Sequence, residues 1–145
     1  LKKGVKFTDA ASIKGKKIGV LKGSTQEKYA LGDLKPAGVV VNSYEAQDQV
    51  YLDIKSGRLD GTVADYMEVT GGFLSKPEGA KYELVGPDLK DPKYYGYGAG
   101  IALRKGEDKL KAELNDAIKA IRTNGTYKTL NDKYFAKYNI DVYGE

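Results

Sequence analysis

The chain has 145 residues and a mass of 15.8 kDa, enough for one domain of ordinary size, and its 41% hydrophobic content excludes wholesale disorder. With no Cys and no His, it cannot build disulfides, thiol nucleophiles, histidine triads or Cys/His zinc sites. The net charge of +4 is local, because residues 1–35 hold nine lysines against Asp9, Glu27 and Asp33, and this lysine-rich stretch reads as solvated surface rather than a nucleic-acid site.

Residues 16–21 (KKIGVL) are β-formers, and Gly23 and the spacing Ser24-x-x-Glu27 follow them. That order predicts a strand, a tight turn and a helix started by a capping box and running to about Leu31. Gly32 and Pro36 punctuate the loop before Val39-Val40-Val41, a second strand, with Ser43 ahead of a second helix. Ala46, Val50 and Ile54, with Gln47 and Tyr51 beside them, have helical spacing, and Gly57 suits the left-handed residue just past the helix end. Residues 61–64 (GTVA) predict a third strand. Asp65 then opens a helix over 66–74 in which Met67, Thr70 and Leu74 share a face, and Gly71-Gly72 marks a place where either the helix breaks or another backbone packs closely, the second being preferred. Three strand-to-helix units predict an α/β fold with a parallel, doubly wound sheet and right-handed crossovers.

Residues 82–85 predict a fourth strand, after which Pro87, Pro92 and Tyr94-Tyr95-Gly96-Tyr97-Gly98 form an aromatic connector that reads as a hinge into 99–104. Two helices follow, separated by Asn124-Gly125-Thr126. One carries the apolar stripe Leu110, Leu114, Ala117, Ile118 and Ile121, and the other carries Tyr127, Leu130, Tyr134 and Tyr138. Both stripes need something to cover them.

Ligands of open parallel sheets bind outside the carboxyl ends of the strands, which here means Gly23 to Gln26, Ser43-Tyr44 and Asp65. If Ser24 caps the first helix through the Glu27 N–H, the N–H groups of Thr25 and Gln26 stay free at the positive end of a helix dipole. Gly23 lets an oxygen approach the backbone, the Thr25 hydroxyl adds a donor, and Asp65 supplies a cation acceptor on the same edge. An anion seat beside a carboxylate suits an α-amino acid. The same residues also read as two ordinary helix caps. The phosphate-loop spacing is absent, so Lys22-Gly23-Ser24-Thr25 does not predict a nucleotide site.

Residues 15–27 (GKKIGVLKGSTQE) resemble the second lobe of the periplasmic amino-acid-binding proteins of ABC importers, nearest to the lysine/arginine/ornithine and histidine binders. The likeness continues through Ser43-Tyr44 with Gln47-Asp48, 56–60 (SGRLD), Ala64-Asp65, 72–74 (GFL), 96–106, 124–127 (NGTY) and 141–144 (DVYG), and so covers the whole chain. It implies the type II periplasmic binding protein fold, in which two α/β lobes close on the ligand, with only the C-terminal part present. Residues 1–97 would be the second lobe, and 98–145 the return crossover strand and C-terminal helices that belong to the first.

The resemblance also implies roles. Ser24, Thr25 and Gln26, with Gly23, match the segment that holds the ligand α-carboxylate, Asp65 matches the acceptor of the α-ammonium, and Leu21 and Lys22 match pocket-edge positions. It implies a basic amino acid delivered in the periplasm to an inner-membrane permease, with no chemical step, no metal and no cofactor. Lys22 is charged where an uncharged residue would be expected, which raises an opine or acidic ligand as the alternative. A dehydratase-type enzyme on the same lobes, using Asp65 and Lys22, is the rival activity. The uncovered C-terminal stripes predict helices that are either poorly ordered or paired in a homodimer, formed directly or by domain exchange through residues 94–98.

Overall fold

A computed structural model describes residues 1–136 of the chain; Tyr138 and the 141–144 motif lie outside the described residues. Contacts divide the chain into two units, one over residues 1–98 and one from residue 99 onward.

The first unit is built on a three-stranded parallel sheet in the order β2-β1-β3, with β1 at Lys17–Leu21, β2 at Val40–Tyr44 and β3 at Gly61–Thr62. β1 lies in the middle because its centre is apolar on both faces. Ile18 and Val20 are buried in a cluster with Ile13, Tyr29, Ala30, Leu34 and Val39. Gly19 turns to the other face, where a Cβ would lie 2.6 Å from Leu59 Cδ1 and 2.7 Å from Val50 Cγ1. That second face is filled by Val50, Tyr51, Ile54, Leu59, Val69 and Phe73. Helical residues thus cover both faces of the sheet, as the predicted doubly wound arrangement requires.

Helix α1 (Thr25–Tyr29) continues as a π-helical segment, Ala30–Leu34, closed by the Lys35 N–H donating to the Ala30 carbonyl at 2.8 Å. It therefore passes the predicted stop at Leu31, because Ala30 and Leu34 are both fully buried and hold the extra turn against the sheet. Helix α2 (Gln47–Lys55) buries Val50, Tyr51 and Ile54, and ends just before Gly57 at φ +75°. Helix α3 (Tyr66–Val69) also widens into a π segment, Thr70–Leu74. No backbone packs on Gly71-Gly72: a Cβ at Gly71 would meet nothing within 4 Å, and one at Gly72 would meet only the side chains of Glu68 and Tyr51. The glycines sit where the helix loosens, which their low helix propensity permits.

Residues 82–85 do not form the predicted fourth strand. Tyr82 makes a single antiparallel bridge with Lys2, supported by Glu83 N–H to the Leu1 carbonyl and Lys3 N–H to the Lys81 carbonyl, both at 2.9 Å. The pairing stops after one bridge, so the β-forming residues beyond it stay irregular. Helix α4 (Pro92–Tyr95), capped by Asp91, seats the connector: the Tyr94 hydroxyl donates to Asp33 Oδ1 at 2.6 Å, and the Tyr94 ring meets the Tyr29 ring edge-on at 5.6 Å.

In the second unit residues 99–104 take no strand conformation; a strand requires a neighbour, and among the described residues none pairs with them. Helices α5 (Asp108–Thr123) and α6 (Thr126–Tyr134) form as predicted, joined by Asn124 and by Gly125 at φ +82°. Leu110, Ile118, Leu130 and Tyr134 are 39–52% exposed. Among the described residues no helix is long and apolar enough to cross a membrane.

Candidate ligand-binding site

Because all three strands are parallel, their carboxyl ends share one edge, and β1 lies beside both β2 and β3 there. The turn after β1 is shaped by Gly23 at φ +75°, a conformation that disfavours a side chain even though the space around it is open. Ser24 is the N-cap of α1. Its Oγ accepts the Glu27 N–H at 3.0 Å and donates to the Leu21 carbonyl at 2.6 Å.

The capping box differs from its predicted form. Glu27 Oε2 accepts the Gly23 N–H at 2.7 Å, while the Ser24 N–H goes to the Leu21 carbonyl at 3.3 Å. The Ser43 hydroxyl and the Gly23 N–H hold the Glu27 carboxyl below its usual range. Gly23 therefore spends its N–H inside the turn. The described hydrogen bonds leave the Thr25 and Gln26 N–H groups at the first turn of α1 without a protein acceptor, as the cap geometry predicts. The Thr25 hydroxyl donates to Gln26 Oε1 at 3.1 Å. Ser24 and Gln26 are half-buried; Leu21, Lys22, Gly23 and Thr25 are exposed.

Asp65 follows β3 and caps α3: its Oδ1 accepts both the Met67 N–H at 2.9 Å and the Glu68 N–H at 3.1 Å. Its side chain is exposed past the carboxyl end of β3, the strand next to β1, on the edge that also bears the α1 N-terminus. The cap reading of Asp65 is thus realised, and it leaves the other carboxylate oxygen outside both bonds. Behind Asp65, the Tyr51 hydroxyl bonds Glu68, and burial together with that carboxylate pushes the phenol well above its ordinary range. Thr62 Oγ1 donates to the Gly19 carbonyl at 2.8 Å, tying β3 to β1. These bonds fix the start of α3, and with it Asp65, against the sheet.

Lys22 has a partner that the sequence reading missed. Its Nζ lies 2.5 Å from Glu45 Oε1, and this carboxylate raises the lysine pKa. Lys22 and Glu45 each follow the last residue of a strand and carry no local signal of contact; knowing that the ladder ends at Leu21↔Tyr44 would have placed them side by side. Tyr44, inspected as an edge residue, instead donates its hydroxyl to Asp53 at 2.7 Å, and Arg58 binds the other oxygen of that carboxylate. Among the described residues no cluster of acidic side chains could hold a metal ion. A groove lined by Leu103, Arg104, Lys111, Leu114 and Ile118 lies within the second unit and includes none of the predicted site residues.

The profile of the bacterial extracellular solute-binding proteins, family 3, matches residues 2–137. The chain is 48% identical to the L-arginine-binding protein of Pseudomonas aeruginosa over 99% of its own length and 55% of that protein's. It is 42% identical to the histidine-binding periplasmic protein of Salmonella typhimurium, over 92% of this chain and 50% of that one. Among solved structures, an ancestral arginine-binding protein bound to arginine superposes with a TM-score of 0.75 at 32% identity, over 93% of this chain and 57% of the other. The chain spans about half the length of the curated relatives it matches. It belongs to the bacterial extracellular solute-binding proteins, family 3.

Proposed function

We propose that this chain is the C-terminal part of the solute-binding component of an ABC transporter. It binds a basic amino acid, arginine, lysine, ornithine or histidine, between two lobes in the periplasm and delivers it to a membrane permease without chemical change. Residues 1–97 act as the second lobe, and 98–145 return to the first.

The observation that carries this reading is one sheet edge bearing two complementary charges. The N–H groups of Thr25 and Gln26 at the α1 N-terminus are open to an anion, and the Asp65 carboxylate stands past the end of the adjacent strand. Ser24 holds the turn, Gly23 and Leu21 shape the approach, the Thr25 hydroxyl joins the two N–H donors once its proton turns from Gln26 Oε1 to the ligand, and Lys22 stands at the rim. The kinship with an L-arginine-binding protein and with a histidine-binding one supports the choice of ligand class. The opine alternative rests on the charge of Lys22, and the Glu45 carboxylate beside that charge favours the basic amino acid over it.

Calorimetry on this chain joined to its first lobe, against arginine, lysine, ornithine, histidine and an opine, tests the proposal. Saturable one-to-one binding of a basic amino acid, returned chemically unchanged, is the expected result. Conversion of a bound substrate, lost in Asp65→Asn, would instead make the protein an enzyme.

A further inference from the structure

Lys22 and Glu45 stand at the point where the β1–β2 ladder ends. Past the pair Leu21↔Tyr44, the Lys22 N–H still donates to the Tyr44 carbonyl at 2.8 Å. The two residues are therefore the first beyond the ladder on adjacent strands, and their side chains close an ion pair of 2.5 Å. Those side chains are 61% and 74% exposed. A pair this open to water adds little to folding, so its consequence lies in the charge it presents.

That charge stands beside the proposed carboxylate seat. A lone Lys22 would draw an anionic ligand to the edge; Glu45 cancels it. The charged groups Lys22, Glu27, Glu45 and Asp65 then set one lysine against three carboxylates. An α-amino acid whose ammonium and carboxylate balance each other brings only its side-chain charge to this negative edge.

We propose that Glu45, through its ion pair with Lys22, is a specificity-determining residue that biases the site towards a cationic amino-acid side chain over a neutral or anionic one. The inference rests on the amino-acid reading of this edge given above.

The test is the ratio of dissociation constants for L-arginine and L-citrulline, which share a shape and differ in side-chain charge. It is measured at low and high salt on the two-lobed protein and its Glu45→Gln, Lys22→Gln and double variants. Glu45→Gln should reduce the preference for arginine by about three- to tenfold, Lys22→Gln should raise it by a similar factor, and the double variant should return near the wild-type ratio. All these changes should shrink in high salt, because exposed charges are screened over roughly 8 Å at physiological ionic strength. A structural role would weaken both ligands equally and leave the ratio unmoved. Wild-type binding of arginine with an unchanged ratio in Glu45→Gln and Lys22→Gln overturns this inference alone. A wild-type protein that binds no amino acid overturns the ligand reading and this inference with it.

Discussion

Asp65 carries two roles that can be separated by substitution. As the cap of α3 it accepts two N–H groups on Oδ1, at 2.9 and 3.1 Å. Replacing it with alanine removes that acceptor and should cost about 1 kcal/mol of folding stability. As the proposed acceptor of the ligand ammonium it would form a charge pair shielded from water in a closed cleft, and losing one partner of such a pair costs ~2–5 kcal/mol of binding, or about 30- to 4,000-fold in affinity. Serine keeps a capping oxygen but no charge, so Asp65→Ser should unfold in urea within a few tenths of a kcal/mol of the wild type. It should nevertheless lose arginine affinity as severely as Asp65→Ala. Urea titration paired with calorimetry on the two-lobed protein reads both quantities. Wild-type affinity in Asp65→Ser would reduce Asp65 to a helix cap and refute the ammonium assignment.

Thr25→Val should weaken arginine by only ~0.5–1.5 kcal/mol, since two backbone N–H donors remain at the seat, and calorimetry showing a larger loss than Asp65→Ala would reverse the ranking of the two residues. Glu27 has a folded-state pKa below its ordinary 4.5 because the Ser43 hydroxyl and the Gly23 N–H bond its charged form. Its contribution to stability is therefore present above pH 4.5 and lost as pH falls through the folded value; urea unfolding should separate wild type from Glu27→Gln near neutral pH and bring them together in acid, and a pH-independent difference would contradict this. The stripes of α5 and α6, with Leu110, Ile118, Leu130 and Tyr134 partly open to solvent, should pair the isolated chain with a second copy. Sedimentation equilibrium should find a dimer, and a monomer with ordered, exposed helices would refute it.

The elements most legible in the sequence were those whose signals are local. Ser24, Gly57 and Asp65 each punctuate a helix end within a few residues, and all three act in the structure as their chemistry indicates. The burial of Ile18 and Val20 followed from the same short apolar run that predicted β1. Residues 82–85 misled because β propensity alone cannot supply a partner, and the one Tyr82 has, Lys2, lies at the opposite end of the first unit's sequence. The continuation of α1 to Leu34 likewise depends on burial against the sheet, which no capping signal encodes.

In the site, the capping residues and the free N–H groups were readable, whereas the destination of the Glu27 carboxylate and the partner of Lys22 were not. Glu27 bonds the backbone of Gly23 rather than Ser24 because the left-handed turn at Gly23 brings that N–H within 2.7 Å of its carboxylate. Glu45 reaches Lys22 only through the register of two strands. Such contacts are set by tertiary geometry and leave no spacing in the chain.

The most direct measurement is a titration of the isotopically labelled two-lobed protein with L-arginine, following backbone amide resonances. The largest changes should fall on the amides of Thr25 and Gln26 and on those that Asp65 caps, Met67 and Glu68. Saturation without movement of those four, or with changes confined to the groove around Leu103, Leu114 and Ile118, would place the ligand elsewhere and contradict the site.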